Sequence, residues 1–440
     1  MTQQRLSQGL DQASRISLWL FAAVTLLSIA AQNVIFVGLA AWLAAAFVRG
    51  NARQALAPRA VFIPYLLFLL WALLAAASSE NAGHSLFTWR RWLLAVIAWY
   101  AGSAIEDQAQ LKGLLKALLL FSGLWCLGAS LVSLSKPLAF AQSHPWPAVM
   151  EQWAHTGLWR AASGSGGYMI LGTGSMMLLL LFTSLMLSDP SWRKPLYFAC
   201  MASMALALML TLVRSAWFGL GAGLFALLLF RKPLYAGLLV MAVLAGILAF
   251  PHSLPMQRLH QGVDMGEDST RERVYMARAG LGMIEDHPWL GVGDCLESWQ
   301  RTGANGLTET VKGYYLRYQP AVVASIPTLA GKEEGHMHDD FIMLAVLAGI
   351  PGLLLMLAFF AWMGSVAWPL ARASDPLAAG LAAGWLAVAL GWWVNGVLEF
   401  NFTSAQSCGS LWFFTGLMLA AGRMAAVRKS GQGRGSKGRP

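Results

Sequence analysis

The sequence predicts an all-α polytopic membrane protein, and its composition and hydropathy pattern are the main reasons. Of the 440 residues, 57% are hydrophobic and only 12% are charged, and the mean hydropathy is +0.55. Soluble globular domains carry about twice that share of charged residues. The apolar runs show no strict alternation over about ten residues, which argues against a lipid-facing β-barrel. Runs of roughly 17 to 25 apolar residues recur instead, as transmembrane helices require.

These runs place about twelve transmembrane helices along the chain. Residues 1–250 hold the first nine helices, interrupted by a short outer segment at 135–165. A large outer loop follows at 251–337, and residues 338–427 hold the last three helices. The basic tail 428–440 lacks apolar residues, so we expect it to be disordered and at most weakly attracted to anionic lipid head groups. The predicted helices span residues 17–30, 33–48, 60–77, 92–105, 114–134, 167–187, 196–213, 216–230, 234–250, 341–362, 377–397 and 411–421.

Lysine and arginine residues indicate how these helices cross the membrane. With a cytoplasmic N-terminus, the short basic loops all fall on the cytoplasmic side, as the positive-inside rule prefers. Both termini are then cytoplasmic, and the segments 135–165 and 251–337 lie outside. Long loops escape the charge rule, so their arginines do not contradict this topology. The basic groups are Arg49/Arg53/Arg59, Lys112/Lys116, Arg193/Lys194, Arg231/Lys232, Arg372 and the tail from Arg423.

The large outer loop contains a predicted helix of its own. Ser269 and Glu272 match a capping box at its start, and Pro288 marks its end. Apolar residues recur between them at helical spacing: Val274, Ala277, Leu281 and Ile284. On a wheel of about 100° per residue, Arg273 lies nearer this apolar stripe than Arg271 does. We therefore expect Arg273 to face the protein rather than bulk water.

Arginines collect at the outer ends of the predicted helices. Arg90 and Arg91 precede one helix, Arg214 follows the apolar run 201–213, and Arg273 lies in the outer loop. Snorkelling to the interface is the simpler explanation for Arg90 and Arg91. Arg214 stands where the positive-inside rule disfavours a cation, so the sequence favours a function there. Because guanidinium groups suit paired phosphate oxygens, these arginines predict a lipid-linked pyrophosphate as their ligand.

Two histidines, His336 and His338, stand where the outer loop enters a predicted membrane helix. Positions two apart on a helix point about 200° away from each other, so both cannot face one site if both are helical. His338 lies nearer the helix start, whose dipole favours the neutral base, whereas Asp339 and Asp340 favour the charged form. There are two alternatives to a functional base. The histidine could simply cap the helix, or the His-x-His-Asp-Asp sequence could form a metal site. The metal interpretation is weak, because no complementary His, Asp or Glu group has ligand spacing elsewhere.

Three short motifs, together with the twelve-helix layout, carry a resemblance to a known family. They are HDDF at 338–341 followed by LAGIPGLL at 347–354, the segment 273–293 ending in HPWLGVG, and TLVRS at 211–215. This pattern resembles the O-antigen ligase and polymerase-type membrane enzymes. Two positions depart from the family pattern. Asp339 stands where Asn or Ser is common, and Arg271 competes with Arg273 for the place of the loop arginine.

The resemblance implies a GT-C-like fold and a glycosyl transfer at the periplasmic face of the bacterial inner membrane, so that both outer segments would be periplasmic. The donor would be O-antigen polysaccharide on undecaprenyl pyrophosphate, and the acceptor a sugar hydroxyl of lipid A–core. The tails of both substrates would lie among the membrane lipids. The resemblance implies no metal, nucleotide or other cofactor, and no nucleic-acid partner.

The resemblance also implies the principal catalytic roles. His338 would be the general base that takes the acceptor hydroxyl proton, and direct attack on the anomeric carbon would invert its configuration. Arg214 and Arg273, with Arg90 or Arg91 as further candidates, would hold the pyrophosphate and neutralise charge as it leaves. Because pyrophosphate is already a good leaving group, no separate general acid is required.

Four further residues are candidates for substrate binding or support. Arg271 is the alternative to Arg273 as the donor-binding arginine of the loop. His336 and Asp339 flank the proposed base and are supporting candidates. Glu399, at the outer end of the predicted helix 377–397, is the acidic residue that the sequence favours as a further member of this site. It would either orient a base or pair with an arginine, and the sequence favours structural pairing.

Three other functions remain open at this point. An O-antigen polymerase would use the same donor with a second lipid-linked glycan as acceptor. A protein O-oligosaccharyltransferase would use a Ser or Thr side chain, but such enzymes often carry an additional C-terminal soluble region, which the short basic tail does not provide. A lipid-glycan transporter would place charges near the bilayer midplane or break paired helices there. Here the charges gather at the outer ends of the helices.

Overall fold

A computed structural model describes most of the chain. The described residues are 3–28, 32–51, 60–79, 81–145, 148–149, 159–164, 167–250, 253–261, 268–294, 301–302, 308–309 and 337–435. Much of the large outer loop, including His336, therefore lies outside the described residues. The outer segment 135–165 is described only in part.

Helices account for nearly all of the described chain. In the N-terminal half they are α1 Gln3–Val24, α2 Val34–Val48, α3 Ile63–Ser78, α4 Ala82–Trp89, α5 Val96–Ala104, α6 Gln108–Ala141, α7 Tyr168–Ser188 and α8 Pro195–Thr211. In the C-terminal half they are α9 Arg214–Arg231, α10 Pro233–Ala249, α11 Leu254–Gln261, α12 Asp268–Asp286, α13 Asp340–Leu370, α14 Pro376–Gly396 and α15 Ala405–Gly435. A two-residue strand, Arg301–Thr302, pairs antiparallel with Thr308–Glu309.

Among the described residues, six helical stretches are long and apolar enough to cross a membrane. Three further apolar helices, α2, α8 and α10, are shorter. The expectation of a helical membrane protein is therefore confirmed, whereas the count of twelve crossings and the outer position of the large loop stay predictions. The six long stretches are Ala60–Ser78, Gln108–Ala141, Tyr168–Ser188, Asp340–Leu370, Pro376–Gly396 and Ala405–Lys429.

The most enclosed helices are α7 and α14, which pack along each other and against α9. The helices α9 and α14 approach closely at a pair of glycines, where a Cβ on Gly391 would lie 2.9 Å from the carbonyl oxygen of Gly219. Small residues at such crossings allow close van der Waals packing, which holds membrane helices together where lipid supplies no hydrophobic drive. At the periphery, α10 leaves Leu248 80% exposed, as expected where lipid is the surrounding medium.

Several helices differ from their predicted bounds; α1, for example, runs from Gln3 to Val24 instead of over 17–30. The predicted helix 92–105 is divided into a 3-10 stretch, Arg90–Ala95, and α5, and it continues directly from α4. The helix predicted at 411–421 runs from Ala405 to Gly435, so it enters the tail predicted to be disordered. Hydropathy marks only the apolar part of a helix, whereas alanine, methionine and arginine beyond it are also good helix formers. Residues 436–440 lie outside the described chain.

A break in α13 is closed by residues 288–292 of the large loop, which follow α12. Gly349 has a non-helical backbone with φ +71°, and Pro351 follows within the helix. In a regular helix, the Ile350 N–H would donate to the Val346 carbonyl. Here Ile350 N donates instead to the Pro288 carbonyl at 2.8 Å, and the Val346 carbonyl accepts from Val292 N at 2.8 Å. The loop thus replaces the hydrogen bond that the helix loses.

The same contact explains the glycines of the two sequence motifs. Gly291 has φ +65°, and a Cβ there would overlap the Val346 carbonyl oxygen. A Cβ on Gly349 would overlap the carbonyl of Trp289. Trp71 of α3 also donates from Nε1 to the Ala348 carbonyl at 2.8 Å. The glycine-containing loop, the kinked helix and α3 are therefore locked together, which fixes α12 beside the start of α13.

Candidate functional site

The candidate site forms where the chain enters α13. Asp339 is the N-cap of the helix, because its Oδ1 accepts from Ile342 N at 2.8 Å. His338 precedes the cap and has a left-handed backbone, with φ +49°. Non-glycine residues seldom adopt this conformation, and they do so preferentially at functional sites. The sequence places His338 at the opening of the helix, whereas the structure places it just outside, where its ring is turned toward Glu399.

Glu399 joins the histidine to the loop arginine. His338 Nδ1 lies 3.2 Å from Glu399 Oε2, and Arg273 Nη2 donates to Glu399 Oε1 at 2.7 Å. A second guanidinium nitrogen, Nη1, donates to the Leu398 carbonyl at 2.8 Å. Arg273 thus faces the protein, as the helical wheel predicts. Sequence analysis proposed two roles for Glu399, and its two carboxylate oxygens contact both partners, the histidine and the arginine.

The charge state of Glu399 follows from these neighbours. The side chain is only 9% exposed, and burial alone raises the pKa of a carboxyl group. The hydrogen bond from His338 and the positive charge of Arg273 outweigh burial, so the pKa of Glu399 lies below its ordinary value. A charged carboxylate accepts hydrogen bonds, so the proton of a neutral His338 belongs on Nδ1. That tautomer leaves the lone pair of the ring on Nε2.

A buried polar network holds the backbone that carries Glu399. Asp340 is fully buried, and its carboxylate accepts from Asn401 N at 2.8 Å and from Asn401 Nδ2 at 3.0 Å. Asn395 Nδ2 donates to Asn401 Oδ1 and to Thr173 Oγ1, both at 2.9 Å. Gly396 has no Cβ, which would overlap Asp340. The turn after α14 is therefore fastened to the first residue of α13, beside His338.

Sequence analysis did not identify Asp340 or Asn401 as parts of the site. Asp340 was visible only as the second acid of the Asp339-Asp340 pair. A carboxylate in the first turn of an apolar helix could have indicated a buried polar contact, since buried acids need hydrogen-bond donors. Its partner lies 61 positions away, and no local pattern identifies such a distant asparagine.

A cavity of about 140 Å³ lies beside Glu399, and three arginines line it. Arg273 enters from α12, Arg214 from the start of α9, and Arg160 from the segment before α7. Leu212, with φ +57°, turns the chain between α8 and α9 and so brings the N-terminus of α9 to the cavity. A helix N-terminus carries partial positive charge, which adds to the preference of this cavity for an anion.

A second, larger cavity also borders Glu399. Its volume is about 380 Å³. It shares Tyr168, Met169 and Glu399 with the arginine-lined cavity, and Ser404 and Ser407 add hydroxyl groups to its largely apolar wall. The carboxylate that contacts His338 therefore stands between a cationic compartment and a less polar one.

The remaining predicted site residues do not reach the arginine-lined cavity in the described chain. Arg91 forms an ion pair with Asp294, and its Nε donates to the Thr88 carbonyl at 3.1 Å. Arg90 lies over the Phe87 ring, 3.6 Å from its centroid. The structure therefore separates Arg90 and Arg91 from Arg214 and Arg273.

Three predictions fall outside the described residues. They concern His336, the side chain of Arg271, and the capping-box side chains of Ser269 and Glu272. Within the described residues, no group of three or more His, Cys, Asp or Glu side chains is arranged to hold a metal ion.

Comparison with protein families identifies the central part of the chain. Residues 199–357 match the family model described as O-antigen ligase. The match runs from α8 into α13 and includes Arg214, Arg273 and His338, while Arg160 and Glu399 lie outside it. No curated protein sequence matches the chain. Residues 199–357 are therefore similar to the O-antigen ligase family, as the three motifs indicate.

Proposed function

We propose that this protein is a glycosyltransferase that moves O-antigen polysaccharide from undecaprenyl pyrophosphate to a sugar hydroxyl of lipid A–core. The observation that carries the proposal is the contact of His338 with Glu399, which together with its partner Arg273 lines an arginine-rich cavity. A base oriented by a carboxylate, next to a compartment for an anion, is the set of groups that this reaction needs. The family assignment of residues 199–357 supports the same reaction class.

The cavity arginines are proposed to bind the pyrophosphate of the donor. Arg214 and Arg273 both line the cavity. Charge-assisted hydrogen bonds contribute about 1.5–3 kcal/mol each, and the planar guanidinium matches two phosphate oxygens at once. Charge that develops on the leaving group would be neutralised by cations already in place, which is the most effective form of electrostatic stabilisation.

The proposed reaction is a direct displacement at the anomeric carbon of the donor sugar. The acceptor oxygen forms a bond to that carbon while the bond from the carbon to the pyrophosphate oxygen breaks. The electron pair of the broken bond leaves with undecaprenyl pyrophosphate. The acceptor proton passes to His338 Nε2, and Glu399 stabilises the imidazolium that forms. Attack opposite the leaving group inverts the configuration at the anomeric carbon.

The proposed location follows from the amphiphilic character of both substrates. Undecaprenyl pyrophosphate and lipid A–core keep their tails in one leaflet, so the reacting groups meet at the membrane surface. The lysine and arginine distribution supports both termini in the cytoplasm and the site at the periplasmic face of the bacterial inner membrane. We propose no metal, nucleotide or other cofactor, because the pyrophosphate ester is already activated.

A transfer assay with purified protein in detergent tests this function. Wild-type protein, His338→Ala and His144→Ala receive lipid-linked donor and lipid A–core, with excess EDTA and no nucleotide. His144 is an exposed histidine stacked on Phe140, so its replacement is the matched control. We expect loss of His338 to lower kcat by roughly 10² to 10⁴, the usual contribution of a general base, with donor binding retained. Loss of donor binding together with transfer would make His338 a positioning residue.

The same assay separates the alternative functions. Transfer to a second lipid-linked repeat unit, with none to lipid A–core, would make the protein a polymerase. Transfer to a protein hydroxyl would make it a protein O-oligosaccharyltransferase. Donor that stays chemically intact under every condition would favour a lipid-glycan transporter.

A further inference from the structure

We infer that Arg160 is a third diphosphate-binding residue, which together with Arg214 holds the donor while Arg273 holds Glu399. The inference rests on the proposed function and assigns its anion site more closely. Arg160 belongs to the described part of the short outer segment, 159–164, and not to the matched family region. It lines the same cavity as Arg214 and Arg273.

The guanidinium of Arg160 is held by an aromatic ring, but one of its N–H donors has no hydrogen-bond partner among the described residues. It lies over the Tyr168 ring, 4.5 Å from the ring centroid, and cation–π contact fixes the plane of an arginine without using its N–H donors. Its Nε is buried and has no hydrogen-bond partner among the described residues. A buried donor without a partner is unfavourable, and a phosphate oxygen in the cavity would satisfy it.

The backbone around Arg160 is held in place by its neighbours. Ala161 N donates to the Leu210 carbonyl at 3.0 Å, and the Ser133 hydroxyl donates to the Trp159 carbonyl. Trp159 and Ala161 are themselves buried. The segment is therefore anchored to the ends of α6 and α8 on both sides of Arg160. An anchored cation binds an anion with less loss of conformational entropy than a flexible one.

The charges of the cavity match the proposed ligand. Among the described residues that line the cavity, three arginines and one glutamate give a formal charge of +2 when His338 is neutral. A pyrophosphate diester, which links a polyprenyl chain to a sugar, carries two negative charges. Without Arg160, the lining would carry only +1. Since Arg273 already donates to Glu399 and to the Leu398 carbonyl, Arg160 provides the charge that completes the match.

Binding of undecaprenyl pyrophosphate to purified protein in detergent tests the inference. We expect Arg160→Ala to weaken binding roughly tenfold to hundredfold, the usual effect of losing one charge-assisted contact. Arg160→Lys, which keeps the charge, should recover part of the loss. Inorganic pyrophosphate should compete with the lipid in wild-type protein and compete less well in Arg160→Ala. Arg214→Ala is the positive control.

A surface arginine serves as the matched negative control. Arg15 forms an exposed ion pair with Glu106, and exposed pairs contribute little to stability, so Arg15→Ala should bind as wild type does. If Arg160→Ala is poorly folded, Tyr168→Leu removes the supporting ring and should weaken binding to a smaller degree. In transfer assays the Arg160 variants should raise KM for the donor and leave the pH profile of kcat unchanged, which a general loss of structure would not do.

The outcomes distinguish the inference from the function on which it rests. Wild-type protein that binds undecaprenyl pyrophosphate, with equal affinity in Arg160→Ala and Arg160→Lys, would overturn the role of Arg160 and leave the proposed function standing. Wild-type protein that binds neither the lipid nor inorganic pyrophosphate would overturn both. Weakened binding in Arg160→Ala and Arg214→Ala, with normal binding in Arg15→Ala, supports both.

Discussion

Two arginine–carboxylate pairs with buried carboxylates tie the large loop to the helices, yet they have different surroundings. Arg273 of α12 pairs with Glu399, and Arg91 pairs with Asp294, which follows α12 in the loop. The carboxylates are almost equally buried, at 9% and 8% exposure. Glu399 also contacts His338 and borders a cavity of about 140 Å³. Asp294 borders a cavity of about 20 Å³, which has room for little more than one water molecule.

The difference shows that the role of an arginine depends on the groups around it. From the sequence, both Arg273 and Arg91 are candidates for the donor site. The pair Arg273–Glu399 has a titratable base and open space beside it, so it is suited to a reaction. The pair Arg91–Asp294 is enclosed by helix and loop and is suited to holding the loop in place. Variants of the two carboxylates therefore provide a direct test of this comparison.

The largest effect is expected for Glu399→Gln. The amide keeps the shape of the side chain but removes the charge that orients His338 and stabilises its protonated form. We expect kcat to fall roughly tenfold to a thousandfold with a smaller change in donor affinity, since the group acts through the base. Transfer kinetics and the pH dependence of kcat measure this. Unchanged kcat with a lower Tm would make Glu399 a purely structural partner of Arg273.

A smaller and different effect is expected for Asp294→Asn. This change leaves the Arg91 charge buried without its partner, which typically costs about 3 kcal/mol of stability. The transfer rate of the folded protein should stay close to that of wild type. Thermal unfolding in detergent, followed by transfer kinetics below the transition, measures both quantities. A loss of kcat as large as that of Glu399→Gln, with Tm unchanged, would mean that the two pairs do not differ in the way described.

The smallest effect is the pH dependence of stability that Glu399 contributes. Its pKa in the folded protein lies below the ordinary value of 4.5, because the His338 hydrogen bond and the Arg273 charge outweigh burial. The ionised form therefore stabilises the fold above pH 4.5, and this contribution is lost as the pH falls through the lower folded-state pKa. The Tm difference between wild type and Glu399→Gln should shrink over that range. A difference that widens on acidification would contradict the assigned direction.

Sequence reasoning predicted those features that local patterns carry. Apolar runs identify the membrane helices, and helical spacing directs Arg273 inward. Arg214 and the histidine before α13 attract attention because of the placement of charges at helix ends. Each of these signals lies within a few residues of the position that it describes, so tertiary contacts were not needed to find it.

The remaining features depend on contacts between distant positions. Arg91 and Asp294 lie 203 positions apart, and Arg273 and Glu399 lie 126 apart. No periodicity distinguishes an arginine that meets a distant carboxylate from one that meets a substrate. Arg160 lies within the segment 135–165 and has no local pattern that assigns it to a site, because its cavity is formed by three other helices. The sequence contains a Gly-x-Pro at 349–351, where α13 breaks. It does not show that residues 288–292 of the loop supply the missing hydrogen bonds.

The repaired break in α13 has a consequence for the biogenesis of the protein. A backbone N–H and a carbonyl left open at Ile350 and Val346 are costly in hydrocarbon, where no water replaces the missing bond. Residues 288–292 satisfy both groups, and in the proposed topology they must first be exported across the membrane. The helix can therefore reach its final form only after translocation of the loop that precedes it. Export and helix packing are then coupled steps, and a molecule whose loop fails to arrive retains an unfinished helix that quality-control proteases can recognise.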